Sequence, residues 1–549
     1  MQELPLSKKE KKLYMSFMYV TYVSLLIGGL MGLLQVLQRT GKVTLPFGID
    51  YYQVLTVHGV ILGLVLTTFF IIGFQFSLMG KTVGITDKQL KFGWVSFWVM
   101  LIGTILAATM ILLGQGSVLY TFYTPLRAHP IFYIGLTLVI VGTWIAATIN
   151  FRQLYLWKKE HKGQKSPLLA FMVTINMIMW FIATLGLAVS VLFHILPWSL
   201  GYKATINVLL TRTLFWYFGH PLVYFWLLPA YMAWYAIIPK VIGGKIFSDG
   251  LARLSFVLFL MFSIPVGFHH QLTEPGIDPM WKFIQVTLTM MVVVPTLMTA
   301  FSLFATFETT GRKKGYTSLF GWFKKLPWKD VRFFAPFVGM LFFIPGGIGG
   351  IINASHQLNT VVHNTVWITG HFHLTVATAV MLTFFGVTYW LVPHLRGRTL
   401  TPSINRLGMI QTILWAIGMF VMSAGMHIAG LLGAPRRSAF SMYDGGDQVS
   451  TWIGYQIAQA VGGTILFIAI LLMVYAFIKL TFFAPHGEEE YPIAQEEDDA
   501  PPTPKILENW KLWIGITVAL ILFAYTIPVI DIIQHSPPGS EPFDWPIGR

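Results

Sequence analysis

Long apolar runs, separated by short polar segments, dominate the hydrophobic pattern of this chain. A helix needs about 20 apolar residues to cross a bilayer core, where no water can satisfy the backbone of an irregular segment. The alternating pattern typical of a membrane β-barrel is missing. The pattern therefore predicts an all-α, polytopic membrane helix bundle with about 13 transmembrane helices. They lie near 14–37, 52–79, 92–115, 130–156, 168–196, 208–238, 252–270, 281–307, 334–355, 362–393, 406–432, 451–482 and 511–533.

The charges between these segments predict the orientation of the bundle. With the N-terminus inside, the inner loops carry most of the lysines and arginines, as in 158–165 and 312–329, and the outer loops carry few. Cationic loops are typical of the cytoplasmic side. Residues 1–13 are then a cytoplasmic flank, because the apolar run that follows is too long for a signal peptide. An odd number of spans places the C-terminus outside.

No separate soluble domain interrupts the predicted bundle, so residues 1–549 are expected to form one transmembrane domain. The segment 483–510, before the last span, is rich in acidic residues and proline. Such a composition favours a flexible, solvated chain. We therefore predict an acidic cytoplasmic linker there.

Composition narrows the possible chemistry. The chain is 55% hydrophobic and 11% charged, too little charge for the surface of a soluble domain. Its net charge of +14 is explained by the cationic loops, so we expect membrane lipid and no nucleic acid as partner. Cysteine is absent, which excludes thiolate iron–sulfur clusters, disulfides, covalent c-type haem and thiolate-bound copper within this chain.

Six of the 15 histidines share one depth in the predicted bundle. A single histidine in a helix is more often a satisfied core residue than a ligand, so the six are interpreted together. Ionisable residues inside a membrane are costly and usually functional. In the predicted topology all of them fall in the outer half of the membrane: His58, His220, His269, His270, His371 and His373.

The spacing of His371 and His373 predicts two different metals. Residues i and i+2 of a helix point about 200° apart, so the two imidazoles cannot bind one ion. They can bind two ions on opposite faces of the helix, and imidazole suits both haem iron and copper. One haem on each side of this helix is the arrangement that the spacing favours.

His269 and His270 are adjacent, at the outer end of the segment 252–270. On a regular helix they diverge by about 100°, but Pro265 and Gly267 can distort the backbone before them. The two imidazoles could then converge with His220 into a three-imidazole site for copper or zinc. The alternative is a pair of solvated histidines at a helix end.

Four motifs resemble subunit I of the haem-copper oxidases, in the same order and over nearly the whole chain. They are YYQVLTVHG at 51–59, WYFGHPLVY at 216–224, GFHHQ at 267–271 and GHFH at 370–373. The resemblance implies a proton-pumping respiratory oxidase that reduces O2 to water in a prokaryotic plasma membrane. It implies a low-spin haem on His58 and His373, a high-spin haem on His371, and copper on His220, His269 and His270.

Tyr224 resembles the tyrosine that is covalently linked to the copper-ligating histidine in this family. Its position is compatible with that link, since residues i and i+4 share a helix face. Such a phenol can supply an electron and a proton for O–O cleavage. Leu222 stands where the A-type oxidases carry glutamate, and no acidic residue lies mid-span. The sequence is therefore similar to the B-type branch, in which one path of hydroxyls carries protons.

Five hydroxyl-bearing residues match the proton path of the B-type family: Tyr231, Tyr235, Thr296, Thr299 and Ser302. The three on segment 281–307 form one stripe, and hydroxyls can both donate and accept. The alternative is that each hydroxyl only bonds its own helix backbone. In the family, the entrance carboxylate belongs to another subunit.

The resemblance also implies contacts to the haem propionates, from Arg436, Arg437, His363 and Asn364. Adjacent arginines suit bidentate carboxylate binding. Where the family often has an acidic residue, four positions before that histidine, this chain has Asn359.

The identities of the partners and of the haems remain open at this point. Axial histidines serve haems a, b and o alike, and the electron donor is cytochrome c or a quinol. Since the chain lacks cysteine, a copper-bearing subunit II is expected to deliver electrons, with a further small helical subunit possible. A nitric oxide reductase has the same six histidines but lacks the linked tyrosine. A transporter with a polar pore would not need six histidines at one depth.

Overall fold

The computed structural model describes residues 3–439, 447–497, 501–535 and 538–544 of the chain. Thirteen long helices follow one another in the described part, with two very short strands near the outer loops. The helices are α1 Lys8–Gln38, α2 Tyr51–Thr82, α3 Asp87–Leu112, α4 Pro130–Glu160, α5 Leu168–Ser199, α6 Val208–Val241, α7 Asp249–Ser263, α8 Pro279–Lys313, α9 Val331–Ala354, α10 Val366–Arg396, α11 Pro402–Leu431, α12 Asp447–Ile478 and α13 Trp510–His535. Strands β1 Leu126–Arg127 and β2 Phe543–Asp544 pair in parallel.

Short elements connect or interrupt the long helices. Turns of 3-10 helix lie at Pro46–Gly48, Gly267–Gln271, Phe323–Lys325 and Lys505–Glu508. A two-turn helix, His356–Val362, precedes α10. Wider π-type turns occur inside α2, α5 and α10 and at the end of α12, at Ile61–Leu66, Ser190–Ile195, Thr375–Val380 and Lys479–Phe483.

Twelve of the described helices are long and apolar enough to span a membrane, which confirms the predicted polytopic helical bundle. The remaining predicted span, 252–270, is shorter than expected. Its helix α7 has 15 residues and ends at Ser263. Pro265 follows after Ile264, and a proline has no backbone N–H to continue the hydrogen bonds of the helix. The prediction of a helix continuing to 270 is therefore wrong.

Burial separates three helices from the others. In the most apolar 18-residue stretch of each helix, 67% of the residues are buried in α2 and 83% in both α6 and α10. No other candidate span among the described helices exceeds 50%. A helix that is buried on all sides lies at the centre of a bundle, and one that is half exposed faces lipid. The three central helices carry four of the six histidines singled out by the sequence, so the candidate site lies in the middle of the molecule.

Small residues allow neighbouring helices to approach each other closely. A Cβ atom at Gly103 of α3 would lie 2.5 Å from the carbonyl oxygen of Gly135 in α4. Likewise, a Cβ at Gly462 of α12 would lie 2.5 Å from the carbonyl oxygen of Gly418 in α11. Because lipid is as apolar as leucine, close packing of this kind is a main source of helix association in membranes.

The described part of segment 483–510 lies along the helix ends where α4 ends and where α5 and α7 begin. Glu508 pairs with the fully buried Arg253 of α7, with Nη1–Oε1 2.7 Å, and with Lys158 at 2.5 Å. Glu496 pairs with Lys165 at 2.6 Å. These ion pairs connect the segment to these ends of α4, α5 and α7. Asp498 and Asp499, also part of the predicted linker, lie outside the described residues.

Candidate functional site

His58 of α2 and His373 of α10 face each other across the centre of the bundle. Their ring centroids are 6.3 Å apart and the ring planes differ by 10°. A metal held between two imidazoles, with bonds of about 2 Å on each side, places the ring centroids about 6 Å apart. The two rings therefore have the separation of a pair of axial ligands to one metal.

Backbone carbonyls fix the orientation of both rings. The Nδ1 atom of His58 lies 2.8 Å from the carbonyl oxygen of Gly28, and that of His373 lies 2.8 Å from the carbonyl oxygen of Thr369. Since a carbonyl only accepts, each Nδ1 carries the proton and each Nε2 keeps its lone pair for a metal. The lack of a side chain at Gly32 leaves room for the His58 ring, because a Cβ at Gly32 would lie 2.7 Å from that ring.

His371 points to the other face of α10, as its spacing from His373 predicts. Its ring lies against α9, where a Cβ at Gly349 would come within 2.8 Å of Nδ1. A cavity of about 330 Å³ is lined by His58, His371 and His373 and extends to His270. The cavity therefore joins the predicted haem-ligating positions to the predicted copper position, and its mainly apolar lining fits a macrocycle on each side of α10.

Among the described residues, the structure brings three potential metal ligands together: His220, His269 and His270. One ligand atom from each lies within 4.8 Å of the others, and Nδ1 of His220 is 3.2 Å from Nε2 of His270. Three converging neutral imidazoles with an open side suit copper or zinc. The predicted convergence of an adjacent histidine pair with a third histidine from α6 is present in the structure.

Two further residues contact the rings of His269 and His270 and fix their orientation. Trp216, one turn before His220, stacks on His270 with ring centroids 3.8 Å apart. Thr289 of α8 lies 3.1 Å from Nδ1 of His269. The Thr289 hydroxyl donates to the carbonyl oxygen of Gln285 at 2.6 Å, so its oxygen accepts from His269 and leaves Nε2 free. The sequence analysis missed both residues, although the spacing of Trp216 from His220 was a usable signal.

Tyr224 lies one helical turn further along α6 from His220. The two ring centroids are 5.0 Å apart and the rings are inclined by 76°. The Nε2 atom of His220 is buried and has no hydrogen-bond partner in the described structure. A buried polar atom without a partner is costly and calls for an explanation. A bond from this nitrogen to the neighbouring phenol ring would provide one.

Arg436 and Arg437 lie at the outer edge of the cavity, and Arg39 of the α1–α2 loop joins them there. The Nε atom of each is buried without a hydrogen-bond partner in the described structure. Arg437 donates to the Tyr120 hydroxyl at 3.2 Å. Burial and the charge of Arg437 lower the pKa of Arg436 to about 10, so both remain cationic at neutral pH. Half-buried guanidinium groups with an unpartnered, buried Nε fit the carboxylates of a bound cofactor.

His363 and Asn364 lie directly beside these arginines. Asn364 has φ +58° and accepts from Nη2 of Arg436 at 3.1 Å. His363 bonds through Nδ1 to the side-chain oxygen of Asn359 at 3.0 Å. Burial, followed by the charges of Arg436, Arg437 and further away Lys282, lowers the pKa of His363 to about 4. The imidazole is therefore neutral at pH 7.

Asn359 is fully buried and takes part in a closed amide network. Its Nδ2 donates to the carbonyl and side-chain oxygens of Asn353, at 2.7 and 3.0 Å. Its Oδ1 faces the Nδ1–H of His363. A neutral amide in this place cannot exchange a proton at physiological pH, in contrast to the carboxylate that the resemblance leads one to expect.

The predicted hydroxyl path lies between α6, α7 and α8. Tyr231 interacts with Thr296, and Tyr235 lies beside Thr299 and Ser302. The Tyr235 hydroxyl and the Ser302 oxygen are buried without a direct hydrogen-bond partner in the described structure. Polar atoms that are close but not directly bonded suit bridging by ordered water.

Ser255 of α7 is a member of this group that the sequence analysis missed. Its oxygen lies 3.5 Å from the Thr299 hydroxyl and beside Tyr235. It was missed because no periodicity connects α7 with α8; only the packing of the two helices brings the residues together.

Comparison with known proteins gives consistent matches over almost the whole chain. The family model for cytochrome c and quinol oxidase polypeptide I matches residues 12–465. Cytochrome c oxidase subunit 1 of Thermus thermophilus is 40% identical over 542 residues, 96% of each chain. A quinol oxidase subunit 1 of Sulfolobus acidocaldarius is 24% identical over 70% of this chain and 74% of its own. The cryo-EM structure of a haem-copper terminal oxidase dimer superposes with a TM-score of 0.93 at 37% identity, covering 100% of this chain and 96% of that one.

Proposed function

Since this chain belongs to the cytochrome c and quinol oxidase polypeptide I family, subunit I of the haem-copper oxidases, we propose that it is the catalytic subunit of a respiratory terminal oxidase. The enzyme reduces O2 to water in a prokaryotic plasma membrane. The observation that carries this proposal is the cavity that connects an opposed histidine pair, a further histidine and a three-imidazole cluster.

The six histidines divide into three ligand sets. His58 and His373, whose rings face each other, would together hold a low-spin haem. His371 would hold a high-spin haem, where O2 would bind. The cluster His220, His269 and His270 would hold copper at the same cavity. When bound, haem iron and copper supply the electrons that reduce O2.

Tyr224 is proposed as the catalytic side chain beside this centre. Its phenol is one helical turn from His220, and the unpartnered Nε2 of that histidine supports a covalent link between the two rings. The phenol can release its proton and an electron close to the reacting oxygen atoms. It would be restored by a proton from the hydroxyl path below it and by an electron from the respiratory donor.

The proposed proton path starts at the inner face and follows Ser302, Thr299, Tyr235, Thr296 and Tyr231 to Tyr224. Hydroxyl groups both accept and donate, so a proton can enter at one oxygen while another leaves at the next. No carboxylate lies mid-span in this chain. A single hydroxyl path supports assignment to the B-type branch. Proton pumping, which the family resemblance implies, would make the enzyme a proton-translocating oxidase.

At the outer edge, Arg436, Arg437, His363 and Asn364 would bind the haem propionates. The guanidinium groups of Arg436 and Arg437 are half-buried, and each has a buried Nε without a hydrogen-bond partner in the described residues, so the propionates would supply the missing negative charge. Arg39 lies at the same edge of the cavity and would contribute in the same way.

Electrons are proposed to come from cytochrome c through a copper-bearing subunit II. The Thermus thermophilus relative, with which this chain shares 40% identity, is named a cytochrome c oxidase subunit. A quinol donor is the alternative, since a quinol oxidase subunit is among the more distant relatives. The bias of Lys and Arg toward one side supports an inner N-terminus and an outer C-terminus.

Metal analysis and a haemochrome spectrum of the purified protein test the function. We expect two haems and one copper in this subunit, besides any copper in a partner. Two haems with no copper in the subunit would contradict the proposal and favour a nitric oxide reductase. Absence of haem would favour a transporter.

A further inference from the structure

Helix α13 contacts the turn that carries His269 and His270. This helix, Trp510–His535, lies beyond residues 12–465, the part that the family model matches. It packs along α7 and α6 in the described structure. Helix α7, the shortest of the long helices, ends at Ser263, and the turn Gly267–Gln271 that follows carries the two histidines.

The backbone before the histidine pair depends on side chains from other helices. Gly267 N donates to the hydroxyl of Tyr525 in α13 at 3.0 Å, and that hydroxyl lies 3.4 Å from the carbonyl oxygen of Ile264. Phe268 N donates to Oε1 of Gln285 in α8 at 2.8 Å. Gln285 in turn donates through Nε2 to the carbonyl oxygen of Ala524 in α13, at 3.1 Å.

These contacts replace the hydrogen bonds that a regular helix would have made. Once α7 has ended at Ser263, the amides that follow lack the carbonyl partners of a continuing helix. A buried amide without a partner destabilises the fold. Tyr525 and Gln285 satisfy the two amides that directly precede His269, so they fix the path of the chain into the ligand pair.

Steric fit supports the same conclusion. A Cβ atom at Gly267 would lie 2.5 Å from the Tyr525 hydroxyl and 2.7 Å from the carbonyl oxygen of Trp216. The turn therefore sits between α13 on one side and α6 on the other. The inner end of α13 is anchored as well, since Glu508, two residues before it, pairs with the buried Arg253 of α7.

We infer that Tyr525, together with Gln285, is a positioning residue for the copper site, and that α13 holds the ligand-bearing turn of α7 in register with His220. The inference rests on the proposed function for the identity of the metal. The positioning itself rests only on contacts between residues of this chain.

The test is Tyr525→Phe in the complete oxidase, which keeps the ring and removes the hydroxyl. Tyr389→Phe is the matched control, because Tyr389 is also fully buried and its hydroxyl contacts the sulfur of Met473 at 3.4 Å, away from the turn. We expect Tyr525→Phe to shift or broaden the infrared C–O band of carbon monoxide bound to the copper. We also expect at least fivefold faster loss of copper to a chelator, with both haem spectra unchanged.

A second readout is independent of the metal. Hydrogen exchange of the peptide covering 264–271 should be at least tenfold faster in Tyr525→Phe than in wild type or Tyr389→Phe. If wild type shows no copper-bound carbon monoxide, the proposed function fails, and hydrogen exchange alone decides the inference. If Tyr525→Phe does not assemble, Gln285→Met takes its place with the same readouts. Unchanged exchange and an unchanged band in the assembled variant would overturn the inference.

Discussion

At the scale of single residues, the geometry around His58 and His373 leads to a selective prediction. Each ring is oriented by one carbonyl oxygen, and each presents Nε2 to the space between them. Replacing either histidine by alanine removes one of two axial ligands. We expect His58→Ala and His373→Ala to lose the low-spin haem signal in the reduced-minus-oxidised spectrum, while the high-spin signal remains.

His394→Ala is the control for this pair of variants. His394 lies on the same helix as His373, near its inner end, where Nδ1 bonds the carbonyl oxygen of Glu489 at 2.8 Å. It should keep both haem signals. A normal low-spin spectrum in His58→Ala or His373→Ala would show that the axial pair has been assigned to the wrong residues.

The opposite directions of His371 and His373 could be predicted from sequence because helix geometry fixes directions within a helix. The spacing of His371 and His373 determines that they face opposite sides of α10, wherever α10 lies. The residues that support the ligands could not be predicted in this way. Gly32, Thr289 and Tyr525 come from other helices, and no local pattern records which helices will be neighbours.

At the scale of helices, the contact between α6 and α8 can be tested through proton uptake. Thr299 is 1% exposed and lies beside Tyr235, so its hydroxyl is available to a proton path. Thr299→Val keeps the shape of the side chain and removes the donor and acceptor. With electron supply in excess, we expect normal haem and copper content but a steady-state oxygen consumption reduced at least fivefold.

Thr174→Val is the matched control for Thr299→Val. Thr174 of α5 is also buried, but its hydroxyl only bonds the carbonyl oxygen of Ala170 in its own helix, at 2.8 Å. This variant should consume oxygen at close to the wild-type rate. Equal rates in wild type and Thr299→Val would mean that protons reach the centre by another route.

A second prediction at this scale concerns the ion pair that joins α13 to α7. Burial favours the neutral form of Glu508, but hydrogen bonds from Lys158 and Ser166 and the charge of Arg253 outweigh it and lower the pKa of Glu508. A carboxylate with a lowered folded pKa stabilises the fold above its unfolded pKa of about 4.3, and this contribution is lost as the pH falls through the folded value.

We therefore expect Glu508→Gln to be less stable than wild type at pH 7, by about 1.5–3 kcal/mol, because the charged partners lose hydrogen bonds to a carboxylate. This difference in stability between wild type and Glu508→Gln should shrink below about pH 4, where the wild-type carboxylate becomes protonated. Thermal unfolding of the purified protein across this pH range measures it. Glu490→Gln is a control, since Glu490 is largely exposed and pairs only with Lys240. A loss of stability in Glu508→Gln that does not depend on pH would contradict a stabilising role for the ionised carboxylate of Glu508.

At the scale of the whole molecule, the polytopic helical bundle and twelve of its membrane-spanning helices could be predicted because apolar length carries that information. The point where α7 ends shows the limit. Pro265 and Gly267 indicated a distortion, but the apolar run continued to 270 and gave a helix that is too long. The helix ends before Pro265, and Tyr525 and Gln285 accept the hydrogen bonds of the turn that follows.

The absence of cysteine leads to a prediction for the assembled enzyme. Among its 549 residues the chain has no thiolate, and a dinuclear copper site for electron entry needs soft sulfur ligands. The subunit alone should therefore reduce O2 when a small, membrane-permeable reductant supplies electrons, but at most a few per cent as fast with reduced cytochrome c. Adding the copper-bearing partner should restore the rate with cytochrome c.

Oxygen consumption by the isolated, haem- and copper-loaded subunit measures this, with the small reductant as the internal control for an intact centre. If cytochrome c alone supports the full rate, electrons enter through this chain directly, and the copper-bearing partner is not the donor. If the partner restores turnover only with a quinol, the enzyme is a quinol oxidase. The expected result follows from the ligands of this chain, because six histidines can hold the haems and one copper, whereas a dinuclear copper entry site needs cysteine, which the chain lacks.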